Sequence, residues 1–413
     1  MTASEMRVVV IGGGAAGMMA AVTAAENGAD VTLLERNPFL GKKLRITGKG
    51  RCNVTNDCEP KEVLEAVSRN PKFLYGAMFR FTPRDTMAFF ENAGVPLKTE
   101  RGRRVFPVSD KAADIQAAFI RRLKETGVRV ICDARVKEVR MNNDGAYEVL
   151  WRTKSVTCDS VIFATGGVSY PGTGSTGDGH DMLEKMGVNI TPLKPSLVPV
   201  VTFEDYSELA GLTLKNVRLT AKLGGETVYT EMGEMLFTHF GVSGPLVLSA
   251  SANMQKADID EYTLHLNLKP ALSREELDAR LISDFTKYAA RDFINSLGDL
   301  MPLKLIPYVV SQSKVDARKK TGSLTKEERA AFLEAMTDFR ITPKSFRPID
   351  EAIITSGGVD VKEISPKTME LKGYPGIYVC GELIDVDAYT GGYNLQIAFA
   401  TGKLAGEAAA QRF

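Results

Sequence analysis

The stretch Arg7-Val-Val-Val-Ile-Gly-Gly-Gly-Ala-Ala-Gly-Met-Met-Ala-Ala21 decides the fold of this chain. Its apolar run Val8–Ile11 predicts a buried strand, and the small residues that follow predict a helix. Between them stands Gly-x-Gly-x-x-Gly, which in this context is a dinucleotide-binding turn. Gly12 permits the tight bend, Gly14 lets the backbone approach a pyrophosphate, and Gly17 lets the helix pack on the strand.

A second predicted strand, Asp30–Glu35, follows that helix and ends on an acid. Glu35 stands where a carboxylate accepts hydrogen bonds from an adenosine ribose, so strand, turn, helix, strand and acid form a complete nucleotide-binding unit. The run Val8–Ala25 is also apolar enough to suggest a membrane span or signal peptide. We reject that alternative because Glu5 and Arg7 precede the run and three consecutive glycines interrupt it.

Composition predicts an ordinary soluble globular protein of two or three domains. The chain has 413 residues, of which 44% are hydrophobic and 25% charged, and a formal net charge of +1. A near-neutral chain has no general attraction to nucleic acid or membranes, so we expect neither as a partner. The five cysteines form no CxxC pair, and only three histidines are present, so we predict no metal site and a cytoplasmic location.

Prolines and hydrophobic patterns divide the chain into a split domain and an insertion. We predict that residues 1–191 and 346–413 form one nucleotide-binding domain and that residues 192–345 form an inserted module. Strands are expected at about 196–270 and helices at about 272–335, with capping boxes at Ser273/Glu276 and Thr325/Glu328. Residues 60–127 are predicted to be mainly helical.

Three separated segments indicate FAD rather than a free nicotinamide as the resident cofactor. The first is the N-terminal turn with Glu35, and the second is Ala164-Thr-Gly-Gly167 at a predicted strand end. The third is Gly381-Glu382 with Asp387, followed by Gly391-Gly392-Tyr393-Asn394 at a helix start. The dipole of that helix suits the edge of a flavin where charge develops on reduction. A second Gly-x-Gly-x-x-Gly, Gly172–Gly177, follows no strand and is not predicted to be a second dinucleotide site.

Together these segments resemble the YhiN/BaiN-type flavoproteins, a family of bacterial NAD(P)/FAD-dependent oxidoreductases. The matching segments are Val10–Gly17, Gly41–Asn56, Ala164–Gly179, Glu234–Pro245, Thr355–Val359 and Cys380–Gly402. The resemblance implies an α/β fold: a Rossmann-like FAD-binding domain of the two-dinucleotide-binding flavoprotein type, with an inserted β-barrel-like and helical module. One group of the family is associated with bile-acid reduction, and other members are called aminoacetone oxidases. The motifs bind FAD, so they do not specify the substrate.

The predicted cofactor contacts follow these segments and the Gly- and Lys-rich loop after the second strand. They are Gly12, Gly14, Ala16, Gly17, Glu35, Lys43, Gly50, Arg51, Cys52, Asn53, Val136, Ala164, Thr165, Gly166, Gly381, Glu382, Asp387, Gly392, Asn394, Leu395 and Gln396. Lys43 either meets the FAD phosphates or belongs to a solvated loop. Cys52 is expected to be a packed thiol, because no resolving cysteine accompanies it.

Three residues are candidates for catalysis, each with a structural alternative. Arg51 either stabilises a reduced flavin or an anionic substrate, or makes a structural contact. His239 is a candidate general acid, and the alternative is a hydrogen-bonded structural histidine. Tyr393 either donates a proton or forms a wall beside the flavin. His265 alternates along a predicted strand and is expected to point to solvent.

We therefore predict an FAD-dependent oxidoreductase that transfers hydride between NAD(P)H and a small organic substrate, with reduction of an activated C=C bond as one candidate reaction. FAD is expected to be noncovalent because no histidine lies in the N-terminal nucleotide segment, and NAD(P)H is expected to visit transiently. The alternatives are an oxidase or dehydrogenase of a small amine or hydroxyl compound, and an RNA-modification flavoprotein. The substrate, the reaction direction, the choice of NADH or NADPH and the oligomeric state stay open.

Overall fold

The computed structural model describes residues 5–411, which divide into two compact units. The split unit comprises the described residues up to Ser196 and those from Pro348 onward. The inserted unit is Leu197–Arg347. These borders lie a few residues after the predicted ones at 192 and 345.

The first part of the split unit alternates strands and helices. Its elements are β1 (Arg7–Ile11), α1 (Ala15–Glu26), β2 (Asp30–Leu34), α2 (Lys42–Ile46), β3 (Thr55–Asn56), α3 (Pro60–Glu65), β4 (Val67–Arg69), α4 (Tyr75–Arg80), α5 (Pro83–Asn92), β5 (Leu97–Glu100), β6 (Arg104–Pro107), α6 (Ala112–Glu125), β7 (Arg129–Ile131), β8 (Val136–Met141), β9 (Tyr147–Trp151), β10 (Lys154–Cys158), β11 (Ser160–Phe163), α7 (Asp178–Lys185) and β12 (Ile190–Ser196).

The inserted unit and the C-terminal part complete the chain. The insertion contains β13 (Val200–Thr202), β14 (Thr213–Leu223), β15 (Glu226–Thr238), β16 (Gly241–Ser243), α8 (Pro245–Asn253), β17 (Tyr262–Asn267), α9 (Arg274–Lys287), α10 (Ile306–Ser313), α11 (Lys326–Thr337), β18 (Phe339–Ile341) and β19 (Pro343–Phe346). The last part contains β20 (Ile354–Val359), β21 (Ile377–Val379), β22 (Asp387–Ala388) and α12 (Tyr393–Ala410).

A five-stranded parallel sheet forms the centre of the split unit, in the order β21-β11-β1-β2-β7. Strand β1 lies in its middle, and Val8 to Ile11 are all buried, as a strand covered on both faces requires. The C-terminal β21 pairs with β11, so the two ends of the split unit share one sheet. This is the predicted Rossmann-type α/β architecture.

Small residues let the first and last helices pack closely. A Cβ added at Gly402 of α12 would lie 2.4 Å from the carbonyl oxygen of Ala16, and one at Gly406 would lie 2.5 Å from that of Ala20. Both neighbours belong to α1, so glycine is required where the two backbones meet. The close packing fixes the start of α12 relative to the glycine turn after β1.

The inserted unit combines one antiparallel sheet with a group of helices. Its seven strands run in the order β18-β17-β14-β15-β16-β13-β19. The unit has its own apolar core, which includes Phe237, Leu264, Phe332 and Phe339. Ser273 and Thr325 cap α9 and α11 through the two predicted capping boxes.

Residues 60–127 are mainly helical, as predicted, but they also include short strands that the sequence pattern did not indicate. These are β4, which pairs with the distant β22, and the hairpin of β5 and β6, which continues into β3. These short strands form because partners from other segments complete their hydrogen bonds, and a local pattern does not record such partners. The apolar run Val8–Ala25 divides into a strand and a helix, and no helix among residues 5–411 is long and apolar enough to cross a membrane.

Candidate functional site

One cavity of the split unit is lined by most of the predicted cofactor residues. The predicted residues in its lining are Gly12, Gly14, Ala16, Glu35, Lys43, Val136, Ala164, Thr165, Gly166, Gly381, Glu382, Asn394 and Leu395. They come from strand ends and helix starts that are far apart in the sequence. The parallel sheet brings them together, because its strands end at one edge.

The glycine turn forms a cradle that side chains would close. Gly12 has a φ of 106°, and a Cβ there would lie 2.5 Å from the carbonyl oxygen of Ala164. A Cβ on Gly17 would lie 1.8 Å from the carbonyl oxygen of Gly12, so Gly17 serves packing and not the cavity wall. At Gly14 an added Cβ would meet no protein atom within 4 Å. The chain therefore leaves open space beside the first turn of α1, where a pyrophosphate would lie.

Glu35 is buried at the end of β2 and lies close to the turn. Its Oε2 accepts a hydrogen bond of 2.7 Å from the Gly13 N–H, and its Oε1 accepts bonds of 2.7 Å from the backbone and the side chain of Asn37. The carboxylate thus couples the end of β2 to the glycine turn. Oε2 accepts only one of these bonds and keeps acceptor capacity for a ribose hydroxyl.

Arg36, Arg135 and Asp178 meet at the same end of the cavity. Asp178, at the start of α7, accepts a bidentate pair of 2.8 Å bonds from Arg135 and a 3.0 Å bond from Arg36. Burial raises the pKa of Asp178, but its hydrogen bonds and the two guanidinium charges lower it below its ordinary value. Sequence reasoning missed this group, although the loop Gly172–Gly177 leads directly into α7.

The strand end after β11 supplies small residues and one unpaired hydroxyl. Ala164, Thr165 and Gly166 all line the cavity, and Gly166 has a φ of 75°. The Thr165 Oγ1 is buried and makes no hydrogen bond within the described residues. A buried hydroxyl without a partner is costly, so a ligand that bonds to it would remove the penalty. This observation and the open cradle at Gly14 fit an extended dinucleotide such as FAD.

Lys43 and Glu382 form an ion pair in the cavity wall. The Lys43 Nζ lies 2.6 Å from the Glu382 Oε2 and 2.7 Å from the Ser169 Oγ. The other carboxylate oxygen accepts bonds of 2.9 Å from Ser169 and from the Thr355 N–H. Lys43 therefore has a defined position, in contrast to the solvated-loop alternative.

The start of α12 also lines the cavity, through Asn394 and Leu395. The Asn394 side chain is held by Ala388, whose N–H donates to Oδ1 over 2.9 Å and whose carbonyl accepts from Nδ2 over 2.7 Å. Gly392 precedes the helix with a φ of 98°, and a Cβ there would lie 2.4 Å from the Thr55 backbone. Gly392 thus shapes the turn without entering the cavity lining.

Some predicted contacts lie outside the cavity lining. They are Gly17, Gly50, Arg51, Cys52, Asn53, Asp387, Gly392 and Gln396. Cys52 is fully buried, and burial raises the pKa of its thiol to about 12, which keeps it protonated and suits the expected packing role. Tyr393 stands at the first position of α12 and is not part of the lining.

Asp387 and Gln396 are polar residues of the core. The Asp387 carboxylate accepts hydrogen bonds from Ser196, Ser68 and Ser356, and its burial raises its pKa. The Gln396 Oε1 accepts from Thr55 over 2.7 Å and from Thr86 over 2.8 Å, while its Nε2 donates to the Phe81 carbonyl over 2.8 Å. Both side chains join segments of the split unit rather than facing a ligand.

Arg51 is bound to two carboxylates. Its guanidinium lies 2.5 Å from Glu100 and 2.5 Å from Asp110, and 4.2 Å above the centre of the Phe106 ring. These contacts match the structural alternative for Arg51.

The histidines of the inserted unit differ in their surroundings. His239 is exposed in the turn between β15 and β16. His265 does not point freely to solvent as expected: its Nδ1 lies 2.5 Å from Asp338 and its Nε2 lies 2.9 Å from Thr263. The acid partner comes from the end of α11, which the strand pattern alone does not indicate.

Comparison with known proteins identifies the family. A family model described as the HI0933-like protein Rossmann domain matches residues 6–408. The chain is 30% identical to the 3-dehydro-bile acid delta(4,6)-reductase of Clostridium scindens over 98% of this chain and 99% of that protein. It is 31% identical to the ribosomal RNA dihydrouridine synthase of Escherichia coli over 95% of each chain.

A solved structure supports the fold. The 3-ketosteroid delta1-dehydrogenase of Sterolibacterium denitrificans superposes with a TM-score of 0.53 at 11% identity, covering 98% of this chain and 99% of that one. The family match confirms the resemblance that the motifs indicated. The chain belongs to the HI0933-like family of Rossmann-fold flavoproteins and is an FAD-dependent oxidoreductase.

Proposed function

We propose that this protein reduces a C=C bond conjugated to a carbonyl group, with NAD(P)H as hydride donor. The observation that carries the proposal is the pair of relatives at 30% and 31% identity. One is named for reduction of an unsaturated 3-dehydro bile acid, and the other for the formation of dihydrouridine. Both names describe saturation of a carbon–carbon bond in conjugation with a carbonyl. The reaction type that the two names share is therefore a better basis for proposing this protein's reaction than the substrate of either relative.

The cavity residues would divide the work of holding FAD. The glycine turn, Glu35 and the Asp178 cluster would bind the adenosine diphosphate part, while Thr165, Glu382 and the start of α12 would bind the remainder. When bound, FAD carries the hydride between donor and substrate. We propose noncovalent binding, since no histidine is present in the cavity lining described here and burial raises the pKa of Cys380, which lines it. Acid precipitation should therefore release all the yellow cofactor into the supernatant.

The catalytic roles of Arg51, His239 and Tyr393 stay predictions. Tyr393→Phe removes the hydroxyl and keeps the ring, so a proton donor would lose turnover while a wall residue would not. His239→Gln tests the general acid in the same way. Arg51→Lys keeps the charge but breaks the paired geometry with Glu100 and Asp110.

The decisive experiment is an anaerobic titration of the flavin-loaded protein with NADH and, separately, NADPH. Bleaching of the visible flavin absorbance by one donor, followed by reoxidation with a conjugated enone, would support the proposal. A flavin that neither nucleotide reduces would overturn the assigned donor. Reoxidation by oxygen but by no enone would favour the oxidase alternative.

A second candidate is reduction of uracil within ribosomal RNA. Two relatives with this name, from Escherichia coli and Haemophilus influenzae, match 95% of the chain. The net charge of +1 supplies no general attraction to RNA. Incubation with unmodified ribosomal RNA and NAD(P)H, followed by mass spectrometry of the nucleosides, tests this function. Dihydrouridine formation with a steep salt dependence of binding would favour RNA, and its absence alongside enone turnover would favour a small molecule.

A further inference from the structure

We propose that Lys43 is the cation that faces the redox-active part of FAD. We further propose that Glu382 is a positioning residue, which holds Lys43 in place and whose negative charge offsets part of the effect of the Lys43 cation on the flavin. This proposal rests on the FAD placement given above. It assigns opposite electrostatic effects to two residues of one ion pair.

The surrounding hydrogen bonds fix the Glu382 carboxylate. Oε1 accepts from Ser169 and Thr355, and Oε2 accepts from Lys43. The Glu382 side chain is 15% exposed and that of Lys43 is 26% exposed. A Cβ on Gly167 would lie 2.3 Å from the Thr355 Oγ1 and 2.9 Å from the Glu382 Oε1, so the backbone packs directly against the network. The Lys43–Glu382 ion pair is therefore held in place by the cavity wall and is not a mobile surface contact.

The pair belongs to the part of the lining that does not hold the adenosine. Glu35 marks the ribose end, where Arg36 and Asp178 also lie. Glu382 follows β21, and in the sheet β11 and β1 separate β21 from β2, the strand that ends at Glu35. The cation of Lys43 and the positive end of α12 line one cavity and act in the same sense.

The charge that reduction adds to the flavin lets the Lys43–Glu382 pair affect its midpoint potential. A hydride brings two electrons and one proton, so its acceptance adds one negative charge to the cavity. A nearby cation in a partly buried wall stabilises that charge more than water would. Removing Lys43 should therefore lower the midpoint potential of the bound flavin. Removing the charge of Glu382 leaves the cation uncompensated and should raise the potential.

The test compares Lys43→Met, Glu382→Gln, the double variant and Lys43→Arg. Lys61→Met and Glu65→Gln are matched controls, since both side chains are exposed on α3. Potentials are measured on flavin-loaded protein by equilibration with a reference dye during dithionite reduction, so the result does not depend on the NAD(P)H assignment. The dissociation constant of FAD from each apoprotein is measured in parallel.

We expect Lys43→Met to shift the ratio of oxidised to reduced flavin about tenfold toward oxidised, which is about 30 mV for two electrons. Glu382→Gln should shift it in the opposite direction, the double variant should lie between them, and Lys43→Arg and both controls should stay near wild type. Shifts of the same sign, or weaker FAD binding with unchanged potentials, would overturn the proposal and leave only an anchoring role. If Lys43→Met retains no FAD, the Glu382→Gln variant alone tests the proposal: a raised potential supports it, and a lowered or unchanged potential overturns it.

Discussion

Gly14 illustrates how a single residue makes the site possible. It precedes α1 with a φ of −81°, a conformation that alanine also adopts, and an added methyl group would touch no protein atom within 4 Å. The position is therefore free of strain and of steric conflict within the protein. Its lack of a side chain matters only to what enters the cavity.

We expect Gly14→Ala to fold normally but to lose FAD, because the methyl group would occupy the pyrophosphate approach. The measurement is the flavin content of the purified protein together with its thermal unfolding midpoint without cofactor. Gly373→Ala is a suitable control, since an added methyl there also meets nothing within 4 Å and the residue lies outside the cavity lining. Full flavin content in Gly14→Ala would contradict the placement of the pyrophosphate.

The pair of His265 and Asp338 links stability to pH. Burial raises the pKa of Asp338, but the hydrogen bond and charge of His265, with Arg340, bring it below its ordinary value. A carboxyl group whose pKa is lowered by folding stabilises the protein above the ordinary value of 3.8, and that contribution is lost as the pH falls through the lowered pKa.

Asp338→Asn should therefore lower the free energy of unfolding by about 1 kcal/mol at pH 7. The difference from wild type should shrink as the pH falls below 3.8 and through the lowered pKa of Asp338, where the carboxylate of the wild type takes up its proton. A series of urea titrations from pH 7 downward measures it. A difference that stays constant across the series would show that charge plays no part.

At the scale of elements, the helix starts were predictable and several strands were not. The capping boxes of α9 and α11 are local, because each lies within four consecutive residues. The hairpin of β5 and β6 needs β3 to complete its sheet, and β4 needs β22. Helix starts can therefore be predicted from a few consecutive residues, whereas these short strands cannot, because their partners are distant in the sequence.

The cap of α11 should have a measurable energy. The Thr325 Oγ1 accepts from the Glu328 N–H over 3.2 Å, and the Glu328 carboxylate accepts from the Thr325 N–H over 2.7 Å. We expect Thr325→Ala to destabilise the protein by about 1 kcal/mol in urea unfolding. Lys326→Ala, at the next exposed position, should change stability by less than about 0.5 kcal/mol. Equal losses in the two variants would argue against the cap.

At the scale of the whole molecule, each unit has its own apolar core. The core of the split unit includes Trp151, the single tryptophan of the sequence, and the cavity is lined by residues of that unit alone. Tryptophan fluorescence therefore reports on the unit for which FAD binding is proposed, while far-ultraviolet circular dichroism reports on both units.

FAD in excess should raise the unfolding midpoint seen by tryptophan fluorescence. At a free concentration of about 1,000 times its dissociation constant, a ligand that binds only the folded state stabilises it by about 4 kcal/mol. Thermal scans of apoprotein with and without FAD measure the shift, and riboflavin, which lacks the adenosine diphosphate part, should give a smaller one. An unchanged fluorescence midpoint would contradict binding of FAD by the split unit.

The sequence by itself predicted the nucleotide-binding unit, the split domain with its insertion, and part of the cavity lining. These features depend on local patterns: a strand period, glycines at fixed spacing, and polar residues beside strand ends. The tertiary structure alone decided which polar residues face the cavity. Asp387 and Gln396 form hydrogen bonds in the core, and Arg51 pairs with two carboxylates. Lys43 pairs with Glu382 in the cavity wall. In each case the partner lies far away in the sequence. Partner choice depends on three-dimensional packing, which no local pattern encodes.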